Sequence, residues 1–359
     1  MKPMLFQENV PLAPFTTFGI GGPARWFASA VNEADVLDGM LFARKHRLPL
    51  FVVGGGSNLL VSDEGYPGLV LHIALRGIIE ESTRDCTFFH VAAGEDWDAF
   101  VSHAIERDAA GIECLAGIPG TVGGTPVQNV GAYGQEVATT IRTVRALDLM
   151  TNNFVELSRQ ACDFHYRQSI FNSSARGRYI VTRVDYALIP GGEPTIAYAD
   201  LKRHFDANSQ PTLADVATAV RRIRRQKGML LVDGDSDCKS AGSFFKNPIV
   251  SEQHYAQIVE DSHEVEVPHY PAGARQVKIP AAWLLERAGF HKGYAMGAAG
   301  ISSRHTLALI NRGGAKARDI AALRDTIISA VEAKYNIRLE PEPVWLNHLP
   351  TAISQVARG

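Results

Sequence analysis

Gly117-Ile118-Pro119-Gly120-Thr121-Val122-Gly123-Gly124, running on into Gln128-Asn129-Val130-Gly131-Ala132-Tyr133-Gly134, decides the reading of this chain. Six glycines in eighteen residues leave the backbone with little side-chain cover. Backbone without Cβ atoms can take positive φ and lie directly against a ligand, offering N–H groups to anionic oxygens. Between the glycines stand apolar or amide residues, Ile118, Val122, Val127, Gln128, Asn129 and Val130, where a flexible surface loop would carry Ser, Asp and Lys. The composition predicts a buried, shaped loop. A second such loop, Val53-Gly54-Gly55-Gly56-Ser57-Asn58-Leu59-Leu60, lies upstream. Tight turns between strands would explain one loop. Two of them, carrying Ser57-Asn58 and Gln128-Asn129, predict a cradle for the pyrophosphate of a dinucleotide, with the amides bonding a ribose or ribityl chain. A Walker site is excluded because GxxxxGK[ST] is absent, and no strand leads cleanly into Gly19-Ile20-Gly21-Gly22 as a Rossmann fingerprint requires.

The chain of 359 residues exceeds one compact core, so two or three domains are expected. Apolar residues at 46% and charged residues at 21% give a normal globular balance and exclude wholesale disorder. A net charge of −2 exerts no global pull on nucleic acid, and the basic residues cluster at one helix end only, so no nucleic-acid partner is expected. Cys86, Cys114, Cys162 and Cys238 form no CxxC pair, and HExxH is missing; free thiols and no metal are the expectation. The N-terminus lacks the pattern of an export signal, and no run of about 18 apolar residues could span a bilayer. A cytoplasmic protein without membrane insertion is expected. No coiled-coil or added interface segment is visible, and a monomer is expected.

Outward from the loops, the pattern predicts three units. In the first, residues 1–75, Asn32 caps a helix from Glu33 to His46, and Leu50–Val53 and Leu69–Ile73 are strands. The second, residues 76–228, has strands near Phe88–Ala93, Ile141–Leu149, Phe154–Leu157 and Tyr179–Leu188, a largely antiparallel sheet. Its helices run from Asp96 to Ala109 and from Leu213 to Gln226, the latter burying Leu213, Val216, Val220 and Ile223. The basic end of that helix, Arg221, Arg222, Arg224, Arg225 and Lys227, reads mainly as a solvated face, with Lys227 best placed to meet a phosphate. Val232–Asp237 is a polar hinge into the third unit, residues 229–335, with helices at Ala281–Ala288 and Ala317–Tyr335. A strand near Ile337–Leu339 begins a C-terminal stretch, 336–359, expected to return to the first unit.

Three further segments could carry chemistry. Phe164-His165-Tyr166-Arg167-Gln168-Ser169-Ile170-Phe171 sets a guanidinium among aromatics, where it would stack on tyrosine or bind a carboxylate. In Ser240-Ala241-Gly242-Ser243-Phe244-Phe245-Lys246-Asn247-Pro248 the serine lacks a GxSxG setting, which argues against a nucleophile. A serine in a dry site could instead hand a proton to a strongly basic carbon. Glu342 stands between Pro341 and Pro343, whose fixed φ holds it in one extended pose.

Taken in order, these segments resemble the UDP-N-acetylenolpyruvoylglucosamine reductase family, and the resemblance covers nearly the whole chain. It rests on Phe15-Thr16-Thr17-Phe18-Gly19-Ile20-Gly21-Gly22, the two glycine loops, Tyr166–Phe171, Ala241–Pro248 and Glu340-Pro341-Glu342. It implies an α+β flavin-binding fold of the vanillyl-alcohol-oxidase type. Two α/β subdomains would hold FAD, and a C-terminal α/β domain would hold substrate. No His or Cys lies in the glycine loops, which agrees with non-covalent FAD. The implied reaction passes hydride from NADPH to the flavin and on to C3 of an enolpyruvyl ether, giving UDP-N-acetylmuramate for peptidoglycan synthesis. The resemblance assigns Arg167 and Glu342 to the carboxylate that gathers charge and Ser243 to protonation of C2. It assigns Gly54, Gly55, Gly56, Ser57, Asn58, Gly117, Ile118, Pro119, Gly120, Gly123, Gly124, Gln128, Asn129, Gly131, Tyr133, Gly134 and Arg167 to the flavin. Tyr198, Lys227, Lys246, Asn247 and His305 fall to the substrate, Tyr198 on a loop of the longer family type.

Two departures stand out. Pro343-Val344-Trp345 follows the glutamate where Val-Arg is usual, and Gly228–Asp235 replaces a short Leu-Pro-Asp-Pro. Two other functions compete: a flavin oxidase of alcohols or sugars, which would need a base beside the substrate carbon, and a nucleotide-binding module without chemistry, which would have no use for Arg167, Ser243 and Glu342 together.

Overall fold

The computed structural model describes residues 3–206, 209–262 and 266–347. Its first sheet has four strands in the spatial order Gln7–Pro11, Pro23–Ala30, Tyr66–Ile73, Leu50–Val53. The last three run parallel, and parallel neighbours need a crossover. The helix Glu33–Lys45 supplies it, burying Val36, Met40 and Ala43. Asn32 starts that helix by accepting the Asp35 N–H at 2.9 Å.

A second sheet follows in the order Asn153–Ser158, Ile141–Asp148, Tyr179–Pro190, Thr87–Ala92, Ile78–Ser82, with every pairing antiparallel. Thr87–Ala92 alternates buried and half-buried residues, the period of a strand with one face on the core. Helices Trp97–Glu106 and Leu213–Gln226 carry the expected apolar stripes inward. One continuous core joins both sheets, from Ala28 and Leu71 through Phe89, Trp97 and Val144 to Val220.

A separate core lies under the helices Ala281–Arg287 and Ala317–Tyr335, where Phe244, Phe245, Leu284, Leu309 and Leu323 pack. Phe18, Ile20 and Leu60 of the first unit reach into it. The strand expected near Ile337–Leu339 does not form. Ile337 and Leu339 are buried and Arg338 and Glu340 exposed, which mimics a strand's alternation without a neighbouring strand to bond. The ladder comes later: Val344–Leu346 runs parallel to Leu59–Val61. Of the stretch 336–359, residues 348–359 lie outside the described residues.

Leu346 anchors that return. It is 3% exposed and packs with Leu12, Val53, Val61 and Tyr66. Leu346→Ala is expected to cost about 2–5 kcal/mol through the cavity it leaves, read as a lower urea midpoint; an unchanged midpoint would show the return is not held by packing.

Candidate active site

The two glycine loops touch each other. A Cβ built on Gly55 would lie 2.7 Å from the Cα of Gly120, closer than side-chain carbons approach. Gly56 has φ +61°, and its Cβ would meet the Phe15 carbonyl oxygen at 1.7 Å. These glycines therefore allow backbone to meet backbone as well as leaving it bare. Asn58 adds a bond across the seam, Nδ2 donating to Gln128 Oε1 at 2.7 Å and to the Glu342 carbonyl at 3.3 Å. The amides of Asn58 and Gln128 are thus engaged with each other. Among the described residues, the Gly55, Gly56 and Ser57 N–H groups donate to no protein acceptor. Three adjacent bare donors on a loop too tight for side chains suit an anionic phosphate.

The longer loop is fixed at several points. Gly117 donates its N–H to Asp98 Oδ1 at 2.6 Å and accepts from Arg224 Nε at 2.9 Å. Arg221 pairs with the same Asp98 at 2.7 Å. The basic helix end is therefore not a solvated face throughout. Arg222 and Arg225 are exposed, but Arg224 is only 7% exposed and grips the loop, its pKa pulled down by burial. Sequence reasoning missed Arg224, because a run of arginines looks uniform until one of them is placed on the helix's buried stripe with Val220 and Ile223. Ile118 and Pro119 are half-buried where the chain turns to Gly120. Gly123 bonds Ala93 O at 2.8 Å, and Gly124 bonds Thr121 O at 2.9 Å. Asn129 is buried, its side chain bonded to Glu136, the His165 carbonyl and the Ala138 N–H. That side chain serves the loop itself and is not available to a ribityl chain. Gly131–Ala132 and Gln135–Glu136 form a hairpin whose turn residues, Tyr133 and Gly134, both have positive φ, 49° and 90°.

Arg167 and Glu342, far apart in sequence, stand with Nε and Oε1 3.7 Å apart. Arg167 also donates Nη2 to the Gly131 carbonyl at 3.0 Å, holding it over the hairpin. Its guanidinium lies 5.2 Å from the Tyr166 ring centroid, with Lys278 4.6 Å from the same ring. Arg167 has φ +55°, a conformation costly for a residue with a Cβ. Glu342 is half-buried, its side chain 14% exposed, and desolvation raises its pKa above the ordinary carboxylate value, with Arg167 and Lys246 pulling the other way. The Glu342 N–H donates to the Phe244 carbonyl at 2.8 Å, and the Lys246 N–H to the Glu340 carbonyl at 2.9 Å. Ser243, half-buried, immediately precedes Phe244, so this pairing brings it to the Glu342 segment.

The residues expected around a substrate fall into two groups, Tyr198, Lys227 and His305 near Tyr133, and Lys246 and Asn247 near Glu342 and Tyr166. Lys227 Nζ lies 2.5 Å from Asp200 Oδ2, on the short helix Ala199–Lys202. Burial opposes the Lys227 charge, but Asp200 holds its pKa above the ordinary value. Tyr198, just before that helix, is exposed and packs edge-on to Tyr133 at 5.5 Å. Lys246 pairs with Glu340 at 3.2 Å. Asn247 Oδ1 accepts the Ala281 N–H at 2.9 Å, at the start of the helix Ala281–Arg287. His305 Nδ1 accepts the Leu307 N–H at 3.1 Å. Burial and the neighbouring charges of Lys227, Lys292 and Arg224 push the His305 pKa down to about 4, which leaves it neutral with its proton on Nε2. Among the described residues, no group of three His, Cys, Asp or Glu side chains could hold a metal ion, and no helix is long and apolar enough to cross a membrane.

Residues 24–153 match the model of an FAD binding domain, and residues 234–346 match the UDP-N-acetylenolpyruvoylglucosamine reductase C-terminal domain. The UDP-N-acetylenolpyruvoylglucosamine reductase of Streptomyces coelicolor is 42% identical, over 96% of this chain and 91% of its own length. That of Thermobifida fusca is 43% identical over 95% and 98%. The crystal structure of the reductase from Thermus caldophilus superposes with a TM-score of 0.66 at 24% identity, covering 96% of this chain and all of that one. The α+β flavin-binding fold that the resemblance implies is the one these matches show.

The pKa of Glu342 is raised, so the folded protein keeps its proton to a higher pH than the unfolded chain does. The stability cost of its charge is absent below the ordinary carboxylate range and complete once pH exceeds the raised value. Glu342→Gln is therefore expected to match the parent near about pH 4 and to be the more stable protein at about pH 8. Urea midpoints across that range measure it; a difference independent of pH would contradict the burial argument.

Proposed function

The chain belongs to the UDP-N-acetylenolpyruvoylglucosamine reductase family, and we propose that Arg167, Ser243 and Glu342 perform its chemistry on the enolpyruvyl group of a UDP-linked amino sugar. It is an oxidoreductase of peptidoglycan precursor synthesis, a UDP-N-acetylmuramate dehydrogenase, with FAD as cofactor and NADPH as the co-substrate of its class. Bound FAD supplies hydride transfer between NADPH and the substrate carbon C3. The bare donors of Gly55, Gly56 and Ser57, in a loop closed by Gly120, fit its pyrophosphate. Gly54, Asn58 and the 117–134 loop would complete that wall.

The single observation that carries the residue roles is the 3.7 Å pair of Arg167 and half-buried Glu342 beside the Ser243 segment. Reduction at C3 drives negative charge onto the substrate carboxylate. Arg167, held by Gly131 and aimed at that charge, lowers the barrier, an effect of about 3–4 kcal/mol for a fixed donor in a dry site. A carboxylate at Glu342 would repel the new charge; desolvation shifts its pKa in the direction of the neutral acid, the form that could donate a hydrogen bond instead. Ser243 then protonates C2. A hydroxyl is a weak acid, so it serves only because the carbon is strongly basic and the donor is pre-aligned. Lys227, Lys246 and Asn247 would meet the diphosphate, neutral His305 would donate from Nε2, and Tyr198 would close over the sugar nucleotide. In this reading residues 229–335 are the substrate domain of a monomeric cytoplasmic enzyme that handles small molecules only.

The test uses anaerobic holoenzyme. NADPH should bleach the flavin absorption, and the enolpyruvyl nucleotide should restore it; bleaching by an alcohol or sugar would point to an oxidase. Ser243→Ala is expected to leave bleaching by NADPH nearly intact while slowing recovery by about a hundredfold or more. Equal slowing of both steps would remove Ser243 from the proton transfer. Arg167→Ala should damage recovery in the same way, and an unaffected rate would leave Arg167 a structural stacking partner only.

A further inference from the structure

We propose that Arg304 is a positioning residue that clamps Lys227 and His305 into one substrate-facing wall; this rests on the reading that those two residues meet the nucleotide. The polar run Val232–Asp237 looks in sequence like a hinge. In the structure it is pinned. Arg304 Nε lies 2.9 Å from Asp237 Oδ2, and Nη2 lies 2.5 Å from Asp235 Oδ2. Nη1 donates to the Arg225 carbonyl at 3.1 Å, in the last turn of helix Leu213–Gln226, an acceptor that also takes the Gly228 N–H. Ser303 reinforces the grip, its Oγ donating to Asp237 at 2.6 Å.

All three guanidinium nitrogens are thus spent, two on the segment that links the flavin-side helix to Ser243 and one on the end of that helix. The fork is what makes this possible, since a lysine ammonium is a point charge without that geometry. Arg304 crosses directly over Gly228: a Cβ built there would sit 3.2 Å from Nε. Gly228 follows Lys227, and Arg304 precedes His305. The clamp therefore fixes the two candidate substrate residues on either side of one guanidinium. The other end of the helix has its own attachments, Arg221 to Asp98 and Arg224 to Gly117. Losing Arg304 should accordingly loosen the substrate wall and leave the glycine loops in place.

The experiment compares holoenzyme variants by steady-state kinetics and by stopped-flow bleaching with NADPH. Arg304→Ala is expected to raise the KM for the enolpyruvyl nucleotide by about tenfold or more, with kcat and the bleaching rate within about twofold of the parent. Arg304→Lys should recover part of the loss, and it carries the test if the alanine variant does not fold. The double variant Asp235→Asn, Asp237→Asn should reproduce the rise. An unchanged KM in Arg304→Ala, or equal loss in both half-reactions, overturns the proposal. If the parent enzyme does not turn over the enolpyruvyl nucleotide, the functional reading falls instead. The clamp is then judged by trypsin cleavage after Lys227 and Lys239: faster cutting in Arg304→Ala supports it, and an unchanged rate overturns it.

Discussion

Asn58 ties together the three segments on which the site depends. Its side chain reaches Gln128 in the longer glycine loop and the carbonyl of Glu342, while its own carbonyl accepts the Val344 N–H at 2.9 Å. Glu342 in turn pairs through its backbone with Phe244, the neighbour of Ser243. The flavin-side loops, the proline-flanked glutamate and the serine segment are therefore connected through one asparagine and a short run of backbone bonds. Because the connection is made mainly by main chain, it fixes positions with little freedom for side chains to rearrange.

This explains how Glu342 can be largely withdrawn from water. A lone carboxylate out of water is costly, and the chain returns to the first unit through the Val344–Leu346 ladder and the packing of Leu346. Those contacts hold Glu342 from its C-terminal side, and the Lys246 N–H bonded to the Glu340 carbonyl holds it from the other. The prolines at 341 and 343 remove backbone freedom that would otherwise oppose the pose.

Much of this was legible in the chain. The helices Leu213–Gln226 and Ala317–Tyr335 follow their apolar stripes, the first opened by the Thr212 capping box and the second closed by Asn336 in the left-handed conformation. The glycine loops announced a close backbone approach. What composition could not tell was which surface approached: Gly55 meets Gly120 and Gly56 meets Phe15, contacts between distant segments. The same limit explains the other misses. Arg224 and Asn129 look like solvent or ligand residues in sequence, and both are spent inside the protein because tertiary neighbours supply their partners. The run Val232–Asp237 has the composition of a hinge, and Ser303 and Arg304, some seventy residues on, pin it. Ile337–Leu339 alternates like a strand, yet a strand exists only where a neighbour offers its edge.

Arg167 shows why rigidity matters more here than charge alone. Surface ion pairs contribute little, because water screens them and two mobile side chains lose entropy when they meet. Arg167 is held by different means. Its backbone sits in the left-handed region, its Nη2 is bonded to Gly131, and its guanidinium lies against Tyr166. The strain at φ +55° is sustained by the surrounding bonds, including the capping box of Ser169 and Asn172 that follows, in which Asn172 donates back to the Arg167 carbonyl at 3.1 Å. A guanidinium fixed in this way needs little reorganisation when charge develops in front of it, and avoided reorganisation is the larger part of what a preorganised donor contributes. The separation of 3.7 Å from Glu342 is consistent with that role. A tight bidentate pair would spend the guanidinium on the glutamate, whereas this spacing keeps an acid and a cation together with hydrogen-bonding capacity left for a third group.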